Sequence, residues 1–285
     1  MVGRAEKTPL RECNGLARVG HGGCDEGLPV VASIACCPLR DRSRTNFGAL
    51  QHAANGDNAP MSINVLLVHG AGGGAWEWNA WARVLRAHGA RLLAPELVPA
   101  VAGLRTTRLA DYSAQLREAA GTLPTPRVLV GASLGGLLAM QLADELAASA
   151  LVLVNPLLPG TVAARDDVVD GIVPWSRTSL ARTRRALPDA DDATVLYAAT
   201  RWRDESAAVL ADARAATLPA RPACRVLVLA SKRDHDVPPE ATRGFAHAWR
   251  ADFVLLPGAS HVGPLLGRDA ARVAELAATW SMSRA

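Results

Sequence analysis

The chain has 285 residues, 49% of them hydrophobic and 20% charged, enough to bury a large core as one big domain or a domain carrying an insertion. Its formal charge of +4 is spread without a dense Lys/Arg block or interleaved aromatics, which argues against nucleic acid as a partner. No apolar stretch reaches the roughly 18–20 residues of a membrane span, so a soluble protein is expected.

Residues 1–60 differ from the rest. They lack sustained periodicity, scatter Gly, Pro, Asn and Asp, and hold Cys13, Cys24, Cys36 and Cys37 without the C-x-x-C pairs of common zinc sites. Neither a metal site nor a disulfide framework is expected there. Asp25 and Glu26 stand before the short apolar piece Leu28 to Cys37, where a secretory signal needs positive charge. The expectation is a disordered extension, or translated upstream sequence, on a cytoplasmic protein. Lys7 and Lys232 are the only lysines, a bias that with the high alanine content suggests a GC-rich bacterial genome.

From Met61 the pattern changes to alternating strands and helices. Short Val/Leu-rich runs without alternation, as in strands covered on both faces, occur at Asn64–Val68, Arg91–Ala94, Arg127–Val130, Ala150–Val154, Arg225–Ala230 and Asp252–Leu256. Helical stretches fall between and after them, at Trp76–His88, Leu109–Ala120, Leu134–Ser149, Glu240–Trp249 and Arg268–Trp280. This predicts a doubly wound, mostly parallel α/β sheet built from residues 61–156 and 223–285. The segment 157–222 is too long for a simple crossover, is rich in Ala and Arg, and is expected to be a helical cap insertion.

The third strand runs into Gly131-Ala132-Ser133-Leu134-Gly135 and then a helical pattern. A strand–turn–helix with one serine at its apex pushes the hydroxyl into the open, and flanking glycines let the two backbones pass closely. With 24 glycines and 13 serines, about one chain in ten of this composition would carry the pentapeptide by chance. Ser133 has an ordinary alternative as a helix N-cap. A nucleophile there also needs a base and an orienting acid at the carboxyl ends of later strands, where open parallel sheets bind ligands. The fifth run leads into Ser231-Lys232-Arg233-Asp234-His235-Asp236-Val237-Pro238, and the sixth into Pro257-Gly258-Ala259-Ser260-His261. The order Ser133, Asp234, His261 is that of the α/β-hydrolases.

From Met61 to the C-terminus, nearly four-fifths of the chain, the sequence resembles the α/β-hydrolase superfamily. The resemblance implies an oxyanion hole in His69-Gly70-Ala71-Gly72-Gly73-Gly74, formed by the backbone N–H groups of Ala71 and Leu134. As a phosphate cradle this loop lacks the Lys-Ser/Thr of a P-loop, and His69 reads as a brace for the turn. Family members commonly place the acid four residues before the Pro of a Val-Pro pair, which points to Asp234, with Asp236 as competitor. His261 stands in a loop, whereas His247 falls inside a helix pattern and His88 and His235 read as surface residues. The stretch His69 to Trp78 resembles small plant and bacterial esterases and hydroxynitrile lyases. The lyase reading wants a lysine near the site, for which Lys232 is the candidate.

A carboxylic ester of a small to medium, largely apolar substrate is the implied partner, with Trp76, Trp175, Tyr197 and Trp202 as candidate pocket residues. An acyltransferase or thioesterase with the same three residues, and a non-catalytic ligand receptor, are the alternatives. No metal or other cofactor is implied. A chain shortened to start at Met61 is expected to keep its activity, as measured by comparing the rates of the two proteins on one substrate.

Overall fold

The computed structural model describes residues 63–161 and 167–283; the extension expected over residues 1–60, with its four cysteines, lies outside them. The apolar runs form one six-stranded sheet. In chain order they are β1 (Asn64–Val68), β2 (Arg91–Leu93), β3 (Arg127–Ala132) and β4 (Ala148–Val154), followed after an insertion by the last two strands. The insertion carries β5 (Ile172–Val173), α4 (Leu180–Ala186), α5 (Asp192–Ala199), β6 (Glu205–Ser206) and α6 (Ala207–Ala215), with β5 and β6 paired antiparallel. Then come β7 (Arg225–Arg233) and β8 (Asp252–Ser260). The main sheet has the order β2-β1-β3-β4-β7-β8 with every pair parallel, so the chain reverses direction across the sheet between β1 and β3.

The absence of polar alternation in the strands has a direct cause. In β1, β3, β4 and β7 successive side chains enter two separate cores. Leu66, Val68, Leu129, Leu151, Leu153 and Val228 face one layer, and Val65, Leu67, Val130, Val152, Val154 and Leu229 face the other. The first layer is closed by α2 (Leu109–Gly121), α3 (Leu134–Leu142), α6 and α7 (Pro239–Ala248). The second is closed by α1 (Asn79–Ala87) and α9 (Ala270–Met282), which lie side by side. Helices on both faces leave only the strand ends open, and loops at the carboxyl ends can meet there.

Several boundaries differ from the sequence pattern. The helix expected over Leu134–Ser149 stops at Leu142, because Ala148 pairs with Arg127 and begins β4 two residues before the expected strand. The stretch Trp76–His88 opens with a 3-10 turn, Ala75–Trp78, before α1. β7 and β8 run past their apolar cores until Arg233 pairs with Ser260, across an irregularity in the ladder. That last pairing brings the residues after each strand, Asp234 and His261, next to each other. A short helix, α8 (Gly263–Leu266), follows the second of these loops.

The turn from β3 to α3 is held by close backbone approach. A Cβ on Gly131 would lie 2.2 Å from the Gly135 carbonyl oxygen, and one on Gly135 would lie 2.2 Å from that of Val68. Neither obstacle is a movable side chain. Gly135→Ala is therefore expected to destabilise the protein by about 3 kcal/mol or more, read as a lower urea midpoint, or to prevent folding.

Candidate active site

Ser133 sits between β3 and α3 with φ 50° and ψ −120°, a left-handed backbone that non-glycine residues adopt only when their surroundings impose it. Its N–H donates to Val154 O at 3.0 Å, and its carbonyl accepts from Gly136 and Leu157, each at 2.9 Å. The turn is thus tied to the end of β4 as well as to α3. Although Ser133 occupies the N-cap position, its side chain makes no capping bond. The hydroxyl faces a cavity instead, together with Ala71 and His261.

Asp234 and His261 meet as the pairing of β7 and β8 requires. His261 Nδ1 donates to Asp234 Oδ2 at 2.7 Å, in the tautomer that a carboxylate partner selects. The other oxygen, Asp234 Oδ1, accepts the N–H groups of Asp236 and Val237, both at 2.8 Å. Asp236 is exposed and makes no such bond to the imidazole. Asp234, Asp236 and His261 have the closeness of a metal cluster, but hydrogen bonding accounts for it, since N–H donors already occupy both Asp234 oxygens. Burial pulls the His261 imidazole down; the bond and charge of Asp234, with the charges of Asp236 and Glu77, outweigh it and hold the group above its ordinary 6.5.

The loop after β1 lies against the serine turn, a Cβ on Gly70 falling 3.2 Å from Ser133 Cβ. His69 braces it. Its Nδ1 donates to Gly70 O at 2.8 Å and its Nε2 accepts the Leu97 N–H at 3.0 Å. Burial drives this imidazole down to about 4, so it stays neutral and is no proton carrier at neutral pH. Within the loop, Gly72 N–H donates to Glu205, Gly73 N–H to Gly70 O, and Gly74 N–H to Glu77 Oε2. Among the described residues the N–H of Ala71 has no acceptor. The N–H of Leu134, first in α3, has none within its helix. Two free donors therefore flank Ser133.

The cavity has a volume of about 330 Å³. Trp175 and Trp202 line it, with Leu157, Leu210, Val237 and Val262 as further apolar wall. Trp76 and Tyr197, expected on that wall, are elsewhere. Trp76 packs edge-on against Tyr197 and Trp202, at 5.7 and 5.2 Å between ring centres, and Tyr197 Oη accepts from Asn79 Nδ2. Both stitch the insertion to the sheet domain as large amphipathic rings filling a seam; the Tyr197 hydroxyl has a partner there, whereas the buried Trp76 indole N–H has none among the described residues. His235, read from sequence as a surface residue, is exposed and contributes to the cavity rim. Lys232 does not line the cavity.

Several polar residues at the site, Asn155 and Glu77 buried and Asp189 half-buried, went unnoticed in the sequence. Asn155, directly after β4, donates from Nδ2 to His261 O and Ser231 Oγ, at 2.6 and 2.8 Å, and accepts from Ser231 N–H. Asp189, from the insertion, accepts both the N–H and the hydroxyl of Ser260, the residue before His261. Glu77 is buried beneath the Gly-rich loop, where burial pushes its carboxyl up to about 7. A polar residue at the end of an apolar strand was the available signal for Asn155; Asp189 and Glu77 carried none, since their partners lie far along the chain or on loops.

The match to a family model covers residues 65–276 and describes the alpha/beta hydrolase family. Norfluorocurarine synthase 1 of Strychnos nux-vomica is 37% identical over 89 residues, 28% of this chain and 33% of that protein, so the match spans a third of this relative. The methylesterase MES16 from Arabidopsis superposes with a TM-score of 0.62 at 18% identity, over 78% of this chain and all of that one. The pyrethroid hydrolase PytH does so at 0.60 and 20% identity, over 77% and 98% of the two chains. With a family model matching most of its length and a parallel sheet of the same fold, this chain belongs to the alpha/beta hydrolase family.

Proposed function

We propose that this protein is a serine hydrolase that cleaves a carboxylic ester through an acyl-enzyme on Ser133. The observation that carries the reading is the conformation of Ser133: a strained apex residue whose hydroxyl caps nothing and shares a cavity with His261. Strain of this kind persists where the surroundings impose it, and it is typical of functional sites. The family membership and the esterase and hydrolase names of the structural neighbours support the same class of reaction.

Ser133 Oγ attacks the ester carbonyl while neutral His261 takes its proton, using Nε2, because Nδ1 is engaged with Asp234. Asp234 holds the tautomer and stabilises the imidazolium. The negative oxygen of the tetrahedral intermediate rests between the N–H groups of Ala71 and Leu134, each donor worth about 3–4 kcal/mol in the transition state. His261 returns the proton to the departing alkoxide, which leaves as alcohol. Water, deprotonated in turn by His261, then attacks the acyl-enzyme, and Ser133 leaves with the proton. Every group required is supplied by the chain, without a cofactor.

The segment 157–222 acts as a cap that sets the substrate. A cavity of about 330 Å³ walled by Trp175, Trp202, Leu157, Leu210, Val237 and Val262 suits an ester of small to medium size and largely apolar character. On a chain-length series of p-nitrophenyl esters the wild type is expected to hydrolyse short and medium chains fastest, and Ser133→Ala to lose on the order of 10⁴-fold in kcat or more. Equal rates for the two proteins would end the proposal.

The pH dependence follows from the state of His261. As general base it must be neutral, and its pKa is raised; kcat/KM is thus expected to fall on the acid side with a midpoint above 6.5. Asp234→Asn removes the largest raising influence and the tautomer control together. Its kcat should drop by about 10³–10⁴-fold, with the acid limb shifted downward in a pH–rate profile.

A further inference from the structure

Gly70, Gly72, Gly73 and Gly74 make the loop after β1 the most freely rotating stretch of the site, so its conformation must be imposed from outside. The backbone hydrogen bonds identify what imposes it. The Gly72 carbonyl accepts the Arg203 N–H at 2.8 Å, and the Gly73 carbonyl accepts Arg203 Nε at 2.7 Å. The Gly72 N–H donates to Glu205 Oε2 at 3.2 Å. Both partners come from the insertion, 130 and 133 residues further along the chain.

Glu205 is itself held rigidly. Its other oxygen, Oε1, accepts from Tyr112 Oη at 2.9 Å and from the Ser206 N–H at 2.8 Å, and only 4% of the residue is exposed. The Arg203 guanidinium continues to Leu97 O at 3.2 Å and Glu96 Oε2 at 3.2 Å, anchoring it to the segment that follows β2. These contacts fall on one side of the loop. They orient the peptide plane between Ala71 and Gly72, and the neighbouring Ala71 N–H has no acceptor among the described residues and lies beside Ser133.

We propose that Glu205, backed by Tyr112 and Arg203, is a positioning residue that aims the Ala71 N–H at the reacting oxygen. The insertion then does more than cover the substrate: it completes the oxyanion hole of the domain it covers. This rests on the reading of Ser133 as nucleophile. A bound acyl group touches Trp175 and Trp202, whereas Glu205 lies behind the loop, absent from the cavity wall. Its influence is therefore on the developing charge and not on ground-state binding, and the kinetics separate the two.

The test is Glu205→Gln in the full-length protein, which keeps the side-chain volume and replaces one carboxylate acceptor by an amide that must turn an N–H₂ toward a donor. On p-nitrophenyl butyrate kcat is expected to fall about 10–100-fold with KM within about threefold of wild type. Inhibition by a trifluoromethyl ketone, whose adduct carries the oxyanion, should weaken by the same factor. Tyr112→Phe removes one bond that orients Glu205 and should lower kcat about 3–10-fold at constant KM. It carries the test if Glu205→Gln does not fold. A folded Glu205→Gln with kcat within twofold of wild type, or with KM raised and kcat retained, overturns the proposal. So does an unaffected Tyr112→Phe when Glu205→Gln is unfolded. A wild type inactive on every ester removes the hydrolase reading and this one with it; an active wild type with unchanged variants removes this one alone.

Discussion

A crossing of backbones at van der Waals contact organises the molecule. The first turn of α3 passes over the end of β1, and Gly135 approaches the carbonyls of Val68 and His69 so closely that no side chain fits between them. The same crossing presses Gly131 against Gly135 and leaves Ser133 with a left-handed backbone. Because β1 and β3 are neighbours at the point where the sheet reverses direction, the loop leaving one and the turn leaving the other converge. The Gly-rich loop and Ser133 therefore meet as a consequence of strand order and two missing Cβ atoms. The cost of the strain is met by the surrounding sheet, which is buried on both faces.

Loops at the carboxyl edge have no ladder of their own, and buried or half-buried polar side chains take its place. His69 fixes the start of the Gly-rich loop, Asn155 joins the ends of β4 and β7 to the His261 backbone, and Asp189 holds Ser260. Each makes two or more hydrogen bonds, the condition under which a buried polar group supports a structure and does not weaken it. Burial acts differently on the titrating members. It lowers His69 out of the physiological range, while at His261 it is overruled by the carboxylate bonded to it. Two histidines of one protein, His69 buried and His261 half-buried, are thus given opposite tendencies by their partners.

The insertion is bound to the sheet domain by three kinds of contact. A small core of Leu187, Ala190, Val195 and Ala198 meets Trp76 and Leu266 of the sheet domain, and Trp76 shares an aromatic seam with Tyr197 and Trp202. Asp189 reaches the loop before His261, and Arg203 with Glu205 reaches the loop after β1. α6 belongs to the main core through Val209 and Ala213. Part of the cavity wall and support for the loop backbones come from the same segment, so changes in this region affect both.

The order of the strands' residues, the Gly-x-Ser-x-Gly turn and the loops carrying Asp234 and His261 were all legible in the chain, because each depends on local pattern. Apolar runs without alternation specify strands buried on both faces, and glycines flanking a serine specify a close turn. The place four residues before Pro238 already pointed to Asp234 over Asp236, and the contact of its carboxylate with the imidazole follows from the pairing of Arg233 with Ser260, which lies beyond the apolar cores of β7 and β8. Trp76 and Tyr197 could not be separated from Trp175 and Trp202 by composition, since a seam and a pocket wall select the same aromatic residues. Glu205, Arg203 and Asp189 stood in an Ala- and Arg-rich stretch with no motif around them. Each has backbone atoms among its partners, and a backbone N–H or carbonyl leaves no trace in the sequence of the residue that bears it. Only the tertiary structure, by closing loops of 70 residues and more, decided which side chains meet them.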